Sequence, residues 1–158
     1  MPRGNLKIRK VALSPDITYG SLSISKFINY TMLNGKKTVA TRIVYDAFQK
    51  ASEATKVTPE EMFEAVLRNV GPILEVKSKR IGGANYQIPM EVSRERRNTL
   101  AMKWIIDSAR HQKGRKMSEK LSSELVDAFH NQGAAIKKRE ETHRMAEANK
   151  AFAHFARF

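Results

Sequence analysis

The chain has 158 residues, the length of one compact domain, and its 29 lysines and arginines against 16 aspartates and glutamates give a net charge of +13. An excess of this size repels itself in a free monomer and indicates a polyanionic partner. The lack of cysteine excludes disulfide scaffolds and thiolate metal centres, and no run approaches the roughly 18 apolar residues of a membrane span, so we expect a soluble, intracellular, polyanion-binding domain.

Residues 1–20 predict an extended basic arm ahead of the helices. The segment lacks helical periodicity, Pro15 interrupts it and Gly20 ends it. Four basic residues against Asp16 give it a net charge of +3: Arg3, Lys7, Arg9 and Lys10. Such an arm can thread between segments of a polyanion and become ordered there.

Three helices are predicted next. The first starts at Ser21 and ends before Gly35, with Leu22, Phe27, Ile28, Met32 and Leu33 at helical spacing. The second covers about residues 38–54, with one stripe formed by Val39, Ile43, Ala47, Phe48 and Ala51. The third starts at a capping box in which Thr58 is followed by Pro59 and Glu61, and Gly71-Pro72 stops it.

Residues 74–92 predict a two-stranded β-hairpin that turns at Gly82-Gly83. This register pairs Lys79 with Tyr86 and Arg80 with Asn85, and it leaves neither face apolar near the tip. A ribbon of this kind is marginal alone in water, so we expect an arm that projects from the helical body. Tyr86 can either stack on a base or stabilise the ribbon as a cross-strand pair.

Helices resume after Ser93. The fourth packs through residues that include Trp104 and Ile105, the fifth is capped by Ser118 and ended by Gly133, and the last covers about residues 134–156. The expected fold is mainly α: a single domain of about six helices, residues 21–158, with a protruding two-stranded hairpin arm and an extended basic N-terminus.

Most of the charge excess lies in one window, residues 76–116. It holds eleven basic and three acidic residues, a net charge of +8 in about a quarter of the chain. Charge that served solubility alone would be spread over all faces, so this clustering favours an electrostatic footprint over a solvated basic face.

No constellation of residues indicates an enzyme. The histidines do not form an HExxH motif or a pair four residues apart, and the chain has no phosphate-binding glycine loop and no nucleophile elbow. The acidic residues at the start of the third helix fit the helix dipole instead of an acid–base pair. We therefore predict no catalysis, no cofactor and no metal site.

Four stretches carry a resemblance to a known family. They are Lys26-Phe27-Ile28-Asn29, Gly35-Lys36-Lys37, Glu75 to Val92 across the ribbon, and Gly133 to His154. In order and spacing the whole chain resembles the family of ribosomal protein seven of the bacterial small subunit. Two departures are Ser14, where a second proline is common, and the ending Phe155-Ala156-Arg157-Phe158, where many members close with Tyr-Arg-Trp.

The resemblance implies a six-helix fold with a ribbon arm, and a structural role in the cytoplasmic small ribosomal subunit. Such a protein acts as a monomer within the ribosome. It is a primary binder of 16S rRNA that nucleates assembly of the head (the 3′ major domain), beside small-subunit proteins nine and eleven. It lies near the exit-site tRNA and the mRNA path at the subunit interface.

Carried onto this sequence, the resemblance and the charge pattern together select the candidate residues. The expected rRNA-binding residues are Arg3, Lys7, Arg9, Lys10, Lys26, Asn29, Lys36, Lys37, Lys77, Lys79, Arg80, Arg94, Arg96, Arg97, Arg115 and Lys116. Those expected near the exit-site tRNA and mRNA are Gly82, Gly83, Asn85, Tyr86, Arg144, Lys150 and His154.

Two other classes of function are alternatives to this one. An architectural DNA-binding protein could use a basic ribbon in the minor groove, but it would prefer duplex DNA and form a stable dimer. An RNA-modifying enzyme would need a cofactor loop or a convergent set of acid and base residues. Preference for rRNA over duplex DNA separates the first alternative from a ribosomal role.

Overall fold

A computed structural model describes residues 12–157. The helices are α1 (Leu22–Thr31), α2 (Lys37–Thr55), α3 (Pro59–Val70), α4 (Arg94–His111), α5 (Met117–Phe129) and α6 (Ala134–Ala148). Strands β1 (Leu74–Ile81) and β2 (Ala84–Glu91) form one antiparallel sheet, and a 3-10 helix covers Lys150–Arg157. This arrangement confirms the mainly helical fold with a two-stranded hairpin. Within the described range, no helix is both long and apolar enough to span a bilayer.

The core lies among α1 to α5, with the start of α6 against it. Its centre is an aromatic cluster of Phe27, Phe48 and Phe63, whose ring centroids lie 5.0 to 6.0 Å apart. All three side chains are fully buried, as their helical spacing predicts. Burying such rings contributes about 1.5–3 kcal/mol each, so this cluster anchors the helices that carry the basic surface.

The predicted apolar stripes of the first two helices were wrong at three positions. Leu22, Leu33 and Val39 are at least half exposed, at 50%, 62% and 52%, and Ile24 and Val44 are buried in their place. Leu33 is exposed because α1 ends at Thr31, before the turn that leads to α2. Val39 lies in the first turn of α2, where Ala40 faces the core in its place.

The start of α3 agrees with its predicted capping box. The Thr58 hydroxyl accepts from the Glu61 backbone N–H at 3.4 Å and donates to the Glu61 carboxylate at 2.8 Å. The predicted cap of α5 was wrong, because that helix begins at Met117 with Lys116 as its N-cap and without a side-chain cap. Ser118 instead lies inside the first turn.

The ribbon has the predicted register, with Lys79 opposite Tyr86 and Arg80 opposite Asn85. One side of it is covered, because α6 packs on β1 and the 3-10 helix packs on β2. The Tyr86 ring lies 5.3 Å from the Phe152 ring and 5.5 Å from the Phe155 ring. Tyr86 therefore joins the ribbon to the C-terminal segment, a contact that neither sequence-based alternative included.

The last helix is shorter than predicted. It ends at Ala148, and the Asn149 side chain donates to the Met145 carbonyl oxygen at 2.8 Å. Residues three apart in a 3-10 helix lie on one side of it, so the change of helix type places Phe152 and Phe155 together against Tyr86. A continuing α-helix would turn these two rings about 60° apart, given its 3.6 residues per turn.

Candidate nucleic-acid interface

Basic residues stand at the starts of α2, α4 and α5. The N-cap of α2 is Lys36, α4 begins at Arg94, and the N-cap of α5 is Lys116. In none of the three does a side chain cap the first turn by a hydrogen bond. A cation at a helix N-terminus opposes the helix dipole and costs about 0.3–1 kcal/mol, whereas an anion is favoured there. These helix starts are therefore suited to bind phosphate.

The α3 helix has the opposite arrangement. Glu60 and Glu61 lie in its first turn, Thr58 caps it, and Arg68 lies in its last turn. This pattern follows the dipole and stabilises the helix without a ligand. The start of α2 has no acid in its first turn, whereas those of α4 and α5 have one each, Glu95 and Glu119. The contrast with α3 is therefore greatest for α2, and it indicates that this basic start serves binding.

A basic groove lies where α1, α3 and α4 meet. Two adjoining cavities of about 380 and 270 Å³ share Ser23, Arg94 and Asn98 in their walls. Lys26 of α1 lines one cavity and Arg68 of α3 lines the other, and each cavity also has one acid in its wall, Glu95 and Glu64 respectively. The fold thus brings together Lys26 and Arg94, which sequence reasoning selected separately. It adds Ser23, Arg68 and Asn98, which sequence reasoning missed because only tertiary packing places them here.

A further cavity of about 280 Å³ lies between α1 and α4, lined by Tyr30, Lys103, Ile106, Asp107 and Arg110. Asn29 is half-buried in α1, and Lys103 Nζ lies 5.9 Å from the centroid of the Tyr30 ring. Arg110 donates to the Thr31 carbonyl oxygen at 3.3 Å, so it satisfies the C-terminal end of α1. Lys103 and Arg110 extend the basic face beyond the residues selected from the sequence.

Among the predicted arginines, Arg97 binds backbone carbonyl oxygens of the protein itself. Its Nε donates to the Gly71 carbonyl oxygen and its Nη2 to the Arg68 carbonyl oxygen, both at 3.0 Å. A Cβ on Gly71 would lie 2.7 Å from Arg97 Cγ and 2.7 Å from its Nε. The glycine therefore permits this approach, and Arg97 holds the end of α3 against α4.

The basic residues at the base of the ribbon surround one acid. Glu75 lies 3.4 Å from Lys77 Nζ and 3.2 Å from Arg96 Nη2, and only 13% of its side chain is exposed. Both cations are about half exposed, so these pairs contribute little stability, and each cation can also face a phosphate. Glu75 thus fixes the direction of two cations that the sequence placed on separate elements.

The tip of the ribbon is open. Arg80, Gly82, Gly83 and Asn85 are exposed, and Lys79 is half-buried beside Tyr86. Both glycines have positive φ, 57° and 90°, as the tight turn requires. The tip can therefore approach another backbone closely, which a side chain at either glycine would hinder.

The C-terminal candidates lie next to the ribbon. Arg144, Lys150 and His154 are exposed, and Lys150 Nζ lies 3.3 Å from a Glu147 carboxylate oxygen. Because the 3-10 helix packs on β2, these cations and the ribbon belong to one continuous surface. Arg115 and Lys116 are exposed in the loop before α5, and Lys37 is exposed at the start of α2.

Two contacts outside the predicted set position α6 under the ribbon. His143 Nε2 accepts from the Ile73 backbone N–H at 3.0 Å, one residue before β1. Burial, together with Arg139 and Arg97 nearby, lowers the pKa of His143 and favours the neutral ring that this bond needs. At the other end of α6, the Glu124 carboxylate accepts from the Ala135 N–H at 2.8 Å.

Glu124 is 1% exposed, and its burial raises the pKa of the carboxyl group. It also accepts from Gln112 Nε2 at 3.3 Å, so it joins the end of α4 to the start of α6.

Asn69 connects α3 to the end of α5, since its Nδ2 donates to the carbonyl oxygens of Ala128 and Phe129 at 3.1 and 3.0 Å. These long-range contacts have no signal in the sequence.

The predicted contacts Arg3, Lys7, Arg9 and Lys10 lie outside the described residues. The other candidates are distributed over the basic helix starts, the basic groove and the ribbon with its C-terminal neighbour. This distribution resembles a surface that binds several segments of a large polyanion, and not a pocket for one small molecule.

Comparison with known proteins agrees with this geometry. Residues 2–150 match the family described as Ribosomal protein S7p/S5e. The chain is 54% identical over 155 residues to the small ribosomal subunit protein uS7 of Desulfatibacillum aliphaticivorans, covering 98% of this chain and 99% of the relative. It is 52% identical, with the same coverage, to that of Treponema denticola. It is 49% identical over the full length of both chains to that of Roseiflexus castenholzii. The chain belongs to the ribosomal protein S7p/S5e family.

Proposed function

We propose that this protein is a structural component of the small ribosomal subunit in the cytoplasm and binds 16S rRNA there as a primary binder. The family consists of structural ribosomal components and not of enzymes. The observation that carries the proposal is the set of basic, uncapped starts of α2, α4 and α5. These cations oppose the helix dipoles, with no first-turn acid to offset them in α2 and one in each of α4 and α5, and phosphate oxygens would stabilise all three starts.

Binding to the RNA involves no chemical reaction. Lys36, Lys37, Arg94, Arg115 and Lys116 neutralise phosphates and release counterions, which supplies most of the affinity. Selectivity comes from the shape of the RNA and from unpaired bases that the basic groove and the ribbon can contact. The four cations of residues 1–10 would extend this footprint along the RNA.

A role in assembly follows from the separation of these sites. When one protein holds several RNA segments, each later docking step becomes intramolecular and its effective concentration rises. We infer that this is how the protein nucleates the head, the 3′ major domain, beside small-subunit proteins nine and eleven.

The ribbon tip and the C-terminal segment are proposed to lie near the exit-site tRNA and the mRNA path. Support comes from the resemblance and from the contact of Tyr86 with Phe152 and Phe155, which joins the two elements into one surface. Asn85 at the tip and Arg144 on α6 are exposed on these elements and available to RNA.

A comparison of polyanions tests the rRNA proposal. The protein is titrated with the 16S 3′ major-domain fragment, tRNA, an unrelated structured RNA and duplex DNA at one salt concentration. We expect the head fragment to bind at least about a thousandfold more tightly than the others, the usual lower range of a specific complex over a non-specific one. Equal binding to all four would mean that the net charge attracts any polyanion, and a preference for duplex DNA would support the architectural alternative.

A second comparison tests the exit-site proposal separately. Asn85→Ala combined with Arg144→Ala should lower retention of exit-site tRNA by reconstituted subunits while the affinity for the head fragment stays within about twofold. The reason is that exposed tip contacts touch the tRNA and not the assembly site. Lys138→Ala, an exposed cation of α6 that pairs with Glu141 at 2.8 Å, is the control. Unchanged tRNA retention in the double variant would contradict the exit-site placement.

A further inference from the structure

An apolar groove lies between the turn before α1 and the first half of α2. It has a volume of about 610 Å³ and is lined by Ile17, Lys37, Thr38, Thr41, Arg42, Tyr45 and Asp46. This volume falls within the range of small-ligand sites, about 300–1,000 Å³. Its charged lining residues are Lys37, Arg42 and one acid, Asp46, all three exposed, and Lys36 is exposed one residue before Lys37.

Ile17 forms the outer wall of this groove and is 100% exposed, the largest exposure of any bulky apolar residue in the described chain. A single exposed isoleucine is unremarkable when it lies on a mobile loop. Here, however, the turn that carries it is fixed by hydrogen bonds, so the apolar side chain is held out in a defined position.

Asp16 fixes that turn. Its carboxylate accepts from the backbone N–H groups of Thr18 and Tyr19, both at 3.2 Å, and from the Tyr45 hydroxyl at 2.8 Å. Its carbonyl oxygen accepts from the Gly20 N–H at 2.9 Å. The Tyr19 ring also packs edge-on against Tyr45, with centroids 5.5 Å apart. Because the turn is ordered beforehand, contacts made by Ile17 cost little further entropy on binding.

We propose that this groove receives one unpaired nucleotide of the rRNA, with its base against Ile17 and its phosphates near Lys37 and Arg42. The proposal rests on the proposed rRNA-binding function and names a specific contact within it. Charge complementarity selects the occupant, since an apolar floor whose two cations outnumber its one acid, Asp46, matches a flat base joined to an anionic backbone. Lys37 also belongs to the basic start of α2, so the groove continues that interface.

Because Ile17 is exposed, it can be replaced to test the nucleotide contact. Ile17→Ser removes the apolar wall without opening the core, and Ile73→Ser is a matched control, since Ile73 is 62% exposed in the loop before the ribbon. Affinities for the head fragment are measured over a salt series. We expect Ile17→Ser to weaken binding roughly fivefold to tenfold, in the lower range of base-stacking contacts. Its salt slope should equal the wild-type slope, since an apolar contact releases no counterions.

Chemical probing of unpaired bases locates the nucleotide. The wild-type protein and Ile73→Ser should protect a base that Ile17→Ser leaves reactive. Equal affinity and equal protection for the two variants would overturn the proposal and assign the groove to another occupant, such as residues 1–11. A loss that appears only when other head proteins are present would also overturn it, because the occupant would be a protein. If the wild-type protein does not prefer the head fragment, the proposed function itself fails.

Discussion

Replacing Lys36 and Lys37 together by glutamate should weaken binding to the head fragment about a hundredfold or more and make the free protein more stable. The two effects have opposite signs because the same positions serve different partners. Glutamate near the start of α2 favours the helix dipole by about 0.3–1 kcal/mol per residue. The loss of two charge-assisted contacts with phosphate, each worth about 1.5–3 kcal/mol, lowers the affinity.

The matched control lies at the other end of the same helix. Lys50→Glu with Lys56→Glu changes the net charge equally, but Lys56 is the C-cap of α2 and Lys50 lies 3.6 Å from Glu119. This variant should lose stability, because acidic residues near a helix C-terminus oppose the dipole. Thermal unfolding and filter binding measure both quantities. An equal loss of affinity in the two variants would show that net charge, and not the start of α2, determines binding.

Arg97→Ala should lower the free energy of unfolding by about 2–3 kcal/mol, because two charge-assisted bonds to backbone carbonyl oxygens are lost. Arg94→Ala, three residues earlier and exposed, should change stability by no more than about 0.5 kcal/mol. In RNA binding, Arg94→Ala should have the larger effect of the two. Arg94→Ala should reduce the salt slope by nearly one, and Arg97→Ala should leave it unchanged.

Gly71→Ala disturbs the same contact, since the added Cβ would displace the Arg97 side chain, and it would also lie 2.8 Å from the Leu67 carbonyl oxygen. Because only the first clash involves Arg97, the double variant should be more stable than the sum of the two single losses predicts, but less stable than either single variant. Denaturant titration gives these values. A normal stability of Arg97→Ala with a reduced salt slope would contradict the structural role and return Arg97 to the RNA-binding residues.

Structural features that depend on residues close together in the sequence could be predicted. The Thr58 capping box needs residues three apart, and the ribbon register follows from a two-residue turn at Gly82-Gly83. The basic starts of α2 and α4 were also visible as candidates, because charge and helix boundaries are local properties. Each of these rests on interactions that span only a few residues.

Features set by distant parts of the chain could not be predicted. Arg97 looks like a surface cation until the fold brings Gly71 beside it, 26 positions away. Likewise, Arg68 and Asn98 join Lys26 and Arg94 only when α1, α3 and α4 pack. The C-terminal change from α to 3-10 helix places Phe152 and Phe155 against Tyr86, which lies on another element.

The central claim is that the basic starts of α2, α4 and α5 bind rRNA phosphates, and the salt dependence of head-fragment affinity tests it most directly. The slope of log affinity against log salt is measured for Lys36→Ala, Arg94→Ala, Lys116→Ala and the triple variant, with Lys56→Ala as control. We expect each single change to reduce the slope by roughly 0.7–0.9, the triple change to reduce it by about 2–3, and the control to leave it unchanged. A triple variant with the wild-type slope would contradict the account, because phosphates would then be bound elsewhere.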